Sequence, residues 1–132
     1  MQLNLFEPVF SVCRVPRNHS GQWSVPEWAQ GDFVSVALEV DCISVVCQQE
    51  NVPAETQCEP DWRLLQVQGP LDFGLTGVLD SLTRPLAQAG ISIFATSTFD
   101  TDYLMVRSSD LDKSIEVLRS AGHEIRTSGD FD

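Results

Sequence analysis

The second half of the chain carries the clearer pattern of apolar and polar positions. Leu75, Val78, Leu79, Leu82, Leu86 and Ala89 recur at steps of three and four, which places them on one face of a helix over Phe73–Ala89. Asp72 stands where an N-cap belongs and Gly90 where a left-handed C′ residue belongs. Pro85 removes one internal hydrogen bond and is expected to bend or loosen the last turn. Before this helix, Trp62–Val67 reads as a strand stopped by Gly69-Pro70; after it, Ile91–Thr96 and Tyr103–Val106 read as neighbouring strands. Ser109 and Asp112 have the spacing of a capping box for a second helix. Leu111, Ile115, Leu118 and Ala121 form its apolar face and Gly122 closes it. Glu124–Thr127 is a short closing strand.

The order strand, helix, strand, strand, helix, strand predicts an α+β fold. Two helices on one face of a four-stranded antiparallel sheet make a ferredoxin-like plait. The first half repeats the plan in worn form. Phe10–Val15, Phe33–Val40 and Ile43–Cys47 read as strands. Pro16–Gln30 has room for only a turn or two of helix near Pro26–Ala29, and Gln48–Pro60 is polar and proline-bearing. The expectation is a tandem repeat: a degenerate unit over residues 1–60 and a fuller one over 61–132, packed as one compact body, with Trp62–Val67 a candidate strand shared by both.

Composition narrows the function classes. A formal net charge of −11 over 132 residues repels nucleic acid and anionic lipid. No segment is apolar for long enough to span a bilayer, and the N-terminus lacks the basic start and apolar run of a signal peptide, so a cytoplasmic location is expected. Cys13, Cys42, Cys47 and Cys58 form no Cys-x-x-Cys pair, and His19 and His123 lie at opposite ends. Buried free thiols are therefore expected, with no metal and no cofactor. No Ser/His/Asp or Cys/His grouping can be argued from position, and the expectation is that the protein is not an enzyme.

Two loops hold the candidate chemistry. Gly69-Pro-Leu-Asp72-Phe-Gly-Leu-Thr-Gly77 leads into the first helix, whose opening N–H groups suit an anion. Ser97-Thr-Phe-Asp-Thr-Asp102 carries two carboxylates, Asp100 and Asp102, that suit a cation. Donors on one side and acids on the other suit a zwitterion. Each residue also has a plainer reading. Asp72 is equally an N-cap, Asp102 a turn acid, Gly69 a strand terminator, Ser44 a half-buried strand residue and Phe99 a core plug.

These residues, with Pro85-Leu-Ala-Gln-Ala-Gly-Ile-Ser and Asp41-Cys-Ile-Ser-Val-Val-Cys47, resemble small tandem ACT-domain proteins related to the ACT modules of the cytosolic arginine-sensor (CASTOR) family. The resemblance runs from about Leu5 to Ile125 and is strongest over Gly69–Val106. Cys42 departs from it, standing where an acid is usual. The resemblance implies an ACT-like fold and a non-catalytic, amino-acid-binding regulatory protein with its ligand where the two units meet. It implies that Gly69 and Asp72 line the site, that Leu75 and Thr76 face the ligand from the first helical turn, and that Thr98, Phe99 and Asp102 close it. Ser44 and Val45 would contribute from the degenerate half. Asp102 matches the acid that meets the basic end of the ligand, which favours a cationic amino acid. A homodimer and an unidentified effector protein are the implied partners. The alternative is a protein-interaction module that keeps the fold without a small-molecule ligand; a small enzyme, which would need a reactive side chain in the same cleft, is weaker.

Overall fold

The computed structural model describes residues 1–17, 24–72 and 76–127. Its elements run β1 (Gln2–Pro16), β2 (Ser35–Leu38), β3 (Cys42–Gln48), β4 (Gln57–Val67), α1 (Val78–Gln88), β5 (Ile93–Ser97), β6 (Asp102–Arg107), α2 (Leu111–Ser120) and β7 (Glu124–Thr127). The chain divides into two units. One joins Met1–Glu7 to the chain from Arg63 onward, and the other is Pro8–Trp62. Both β1 and β4 cross that division.

In the larger unit the strands lie in the order β7, β1, β4, β6, β5. Alternation along each strand sends one set of side chains to a single face: Leu3 and Leu5, Leu65 and Val67, Leu104 and Val106, and Ile125. Leu82 and Leu86 of α1 and Leu118 of α2 complete that core, so both helices cover one face of the sheet. This is the α+β, ferredoxin-like arrangement that the order of elements predicts, and the ACT-like fold that the resemblance implies. The N-terminal strand is the addition. Gln2–Leu5 pairs in parallel with Glu124–Thr127, so β1 stands between β7 and β4.

Helix ends differ from expectation where the signal was a cap. The helix begins at Val78 with Gly77 as its N-cap, at φ 76° and without a side-chain bond, so Asp72 does not cap it. Likewise α2 follows a 3₁₀ turn over Ser108–Asp110 and is entered through Asp110, so the Ser109/Asp112 box does not form. The C-termini behave as read. Gly90 and Gly122 take positive φ, and the N–H groups of Ile91 and His123 return to Leu86 and Leu118 carbonyls at 3.0 Å each. These are Schellman closures. Pro85 does not end α1, which continues to Gln88.

The loop after β4 is packed against the β5–β6 turn. A Cβ on Gly69 would stand 3.1 Å from Thr101 Cβ and 3.2 Å from the Asp100 carbonyl oxygen. Across the same contact Leu71 N–H donates to Asp100 O at 2.7 Å and buried Thr101 Oγ1 donates to Val67 O at 2.7 Å. Gly69 thus eases the loop-to-loop approach.

In the smaller unit the strands lie in the order β2, β3, β1, β4. β1 pairs antiparallel with β3 from Phe10↔Gln48 to Pro16↔Cys42. Among its described residues there is no α-helix. A turn closed by Ala29 N–H on Pro26 O and a 3₁₀ turn at Gln49–Asn51 take that place. Cys13, Ile43, Val45 and Cys47 form the core, with Trp28 and Val52 packed against it. Asp61 bends β4 with φ 67°, and Gln49 holds it by accepting its N–H at 2.7 Å and donating to its carboxylate at 3.1 Å. All four cysteines are free. Burial, then the neighbouring Cys47 and Cys58, push the Cys13 thiol up to about 12; burial also raises Cys47.

Two outcomes follow from this packing. Gly69→Ala costs about 1–3 kcal/mol, because neither loop can retreat without breaking its cross-bonds; an unchanged urea midpoint would refute that. Raised thiol values favour the folded state below the free-thiol range, from a reference of 9.0, and that contribution is lost as pH rises toward about 12. The native protein should therefore show Cys58 reacting first with a thiol reagent at pH 8, and Cys13 and Cys47 reacting only on unfolding. Equal rates in native and denatured protein would contradict the assignment.

Candidate functional site

The cross-bonded loops form one wall of a cleft of about 370 Å³ in the larger unit, and the start of α1 forms the other. Thr98 N–H donates to Thr101 O at 2.9 Å, which sets the tight turn between β5 and β6. Thr101, 5% exposed, anchors that turn to β4. On the opposite wall the first helical bond runs from Ser81 N–H to Gly77 O at 2.9 Å. The N–H groups of Val78, Leu79 and Asp80 precede it and have no acceptor within the helix. Gly77, Val78 and Leu79 all line the cleft.

Three carboxylates share the same lining: Asp72, Asp100 and Asp102. No described lining residue is basic. Asp72 and Asp100 are exposed, whereas Asp102 is half-buried and accepts a hydrogen bond from Ser97 Oγ, its cross-strand partner. Acids therefore stand in the same space as a helix N-terminus, which carries the equivalent of about half a positive charge. Phe99 stands at the rim, 78% exposed. Among the described residues no group of three His, Cys, Asp or Glu side chains could hold a metal ion, and no helix is long and apolar enough to cross a membrane.

Of the residues singled out in the sequence, Asp72, Thr98, Phe99 and Asp102 line this cleft. Gly69 is half-buried behind the wall against Thr101. Thr76 precedes the helix, is exposed and is not among the lining residues. Leu75 lies outside the described residues. Ser44 and Val45 belong to β3 in the smaller unit and do not line the cleft. Ser44 Oγ donates to Glu39 Oε1 at 3.2 Å, and Val45 is fully buried in its own core. Asp100, the other acid of the second loop, lines it too, and Leu71, Gly77, Val78, Leu79, Ser97 and Thr101 complete the lining. Ser97 could have been found from the hairpin, because it pairs directly with Asp102.

An ACT-domain family model matches residues 57–120, and a second model, for an N-terminal domain, matches residues 9–55. A curated relative from Pongo abelii, named cytosolic arginine sensor for mTORC1 subunit 1, is 29% identical over 87% of this chain. The chain spans only 37% of that relative's length. A solved structure of an Agrobacterium tumefaciens protein superposes with a TM-score of 0.85 at 35% identity, covering 96% of this chain and 92% of that one. The Clostridium acetobutylicum aspartate kinase shares the fold, with a TM-score of 0.61 at 13% identity over 87% of this chain and 33% of the kinase. With the helix-covered sheet already described, these likenesses show that the chain carries an ACT domain over residues 57–120 and is similar to the cytosolic arginine sensors.

Proposed function

We propose that the protein is a non-catalytic regulatory module that senses an amino acid, with a cationic one favoured, held in the cleft between α1 and the β5–β6 turn. The observation that supports this reading is that Val78 and Leu79 share the lining of one cleft with Asp102. In this reading the ligand carboxylate meets the first-turn N–H groups and its basic end meets Asp102, with Asp72 and Asp100 completing the acidic wall. Such charge-assisted bonds are about twice as strong as neutral ones. The name of the Pongo abelii relative, an arginine sensor, supports the same ligand class.

The occupied cleft reports to an effector protein in the cytoplasm. β5 ends the strand order of its unit, and a second copy of the chain can pair along that edge. A protein-interaction module without a ligand is the alternative that the first experiment separates.

That experiment is a thermal-shift and calorimetric screen with L-arginine, L-lysine and neutral amino acids of similar length. A ligand at about a hundredfold excess over its Kd adds ~2.7 kcal/mol to the folded state. Asp102→Asn, which keeps an acceptor for Ser97, should weaken a cationic ligand by roughly ten- to a hundredfold, the cost of removing a charged hydrogen-bond partner. Neutral amino acids shifting the transition as much as arginine would remove the cationic preference. A flat response across the set would leave the interaction module as the better reading.

A further inference from the structure

Pro85 lies inside α1 and has no N–H, so the carbonyl of Ser81, one turn earlier, loses the donor that the helix would otherwise supply. His123 supplies one. Its Nε2 lies 3.0 Å from Ser81 O. The tautomer follows from the other ring nitrogen. Nδ1 lies 2.9 Å from the Met1 nitrogen, which can only donate, so Nδ1 accepts and Nε2 carries the proton. His123 is itself fixed. It follows the positive-φ Gly122, its own N–H closes α2 on Leu118 O at 3.0 Å, and it is 7% exposed. The corresponding position after α1 is the apolar Ile91, which packs in the core. An imidazole in place of an apolar residue at such a closure answers the orphaned carbonyl.

Ser81 carries this contact toward the cleft. Its N–H donates to Gly77 O at 2.9 Å and its Oγ donates to Val78 O at 2.7 Å. Gly77 and Val78 are both lining residues. A continuous chain of hydrogen bonds therefore runs from His123 through Ser81 to the wall that offers the main-chain donors. We propose that His123 is a positioning residue for the cleft: it replaces the peptide N–H that Pro85 lacks and holds the first turn of α1 in place. His123 touches no ligand in this account. Only the ligand arm of the test rests on the function proposed above.

The test is a cycle of His123→Ala, His123→Gln, Pro85→Ala and the double variant Pro85→Ala/His123→Ala. Amide hydrogen exchange over residues 77–83 is read by mass spectrometry, and L-arginine affinity by calorimetry. His123→Ala should speed exchange in that segment about tenfold and weaken arginine by a similar factor, because it removes the fixed donor that holds Ser81 O. Gln places an amide N–H near the position of Nε2, so His123→Gln should stay within about twofold of the wild type in both readouts. Pro85→Ala restores the helical donor, so removing His123 in that background should change either readout by less than about twofold. Equal losses in both backgrounds, or no rescue by His123→Gln, would overturn the assignment and leave His123 as packing alone. If His123→Ala fails to fold, the Gln variant and the Pro85→Ala background still decide. Wild-type protein that ignores arginine while the exchange pattern holds would sink the ligand and keep the positioning role. Arginine binding with exchange indifferent to His123 would do the reverse.

Discussion

The larger unit depends on a strand that comes from the other end of the sequence. Gln2–Leu5 lies between β7 and β4, with Leu3 fully buried and Leu5 nearly so. Without it, β4 and β7 would each present an open edge, and the apolar face under both helices would lose its middle row. Each buried leucine is worth about 1.5–3 kcal/mol of transfer free energy, a large share of a small domain's net stability. Residues 61–132 contain both helices and the cleft, yet their sheet is completed only by residues 1–7.

The same accounting of backbone groups explains the site. The β4 end and the β5–β6 turn satisfy one another through Leu71, Asp100, Thr101 and Val67, at a spacing that leaves a Cβ at Gly69 a tight fit. The start of α1 is treated differently. Gly77 enters the helix with no side-chain cap, and Gly77, Val78 and Leu79 line the cleft. A helix N-terminus that is capped by its own side chain offers an anion less. The uncapped entry and the cross-bonded wall are complementary: one has N–H groups without helical acceptors, while the other is cross-bonded and acidic.

Legibility in the sequence tracked how local the cause was. Helical periodicity placed the faces of α1 and α2, and Gly90 and Gly122 marked both C-termini, because those signals act over one or two turns. Asp72 misled as a cap because the loop carries the chain on to Gly77 before the helix starts. Leu3 and Leu5 were not read as a central strand. Their alternation is short, and their partners are some sixty and one hundred and twenty residues away, at Leu65–Val67 and Glu124–Thr127. Pro85 was read as a flaw because its compensation is tertiary. Nothing near Pro85 in the chain announces His123. Asp72, Thr98, Phe99 and Asp102 were found in one cleft because the two loops that carry them are strong turn signals. The apolar lining from Val78 and Leu79 was hidden in a helical face already assigned to the core.

The proposed ligand gains from spanning the cleft rather than from meeting either wall alone. Exposed carboxylates such as Asp72 and Asp100 are hydrated and screened, and a cation meeting one of them gains little, about 0–1 kcal/mol. An anion alone at the helix entrance gains a similarly modest amount, and it does so beside three acids. A molecule with both charges changes the balance. In the proposed pose its carboxylate would occupy the first-turn donors and shield them from the acids, while its basic end would meet half-buried Asp102. Selectivity then comes from the distance between the two charges, because a shorter molecule reaches only one wall. The net charge of −11 adds a long-range attraction for the cationic end that salt weakens. The pairing across the cleft resists salt better, since it is made at close range and partly out of water.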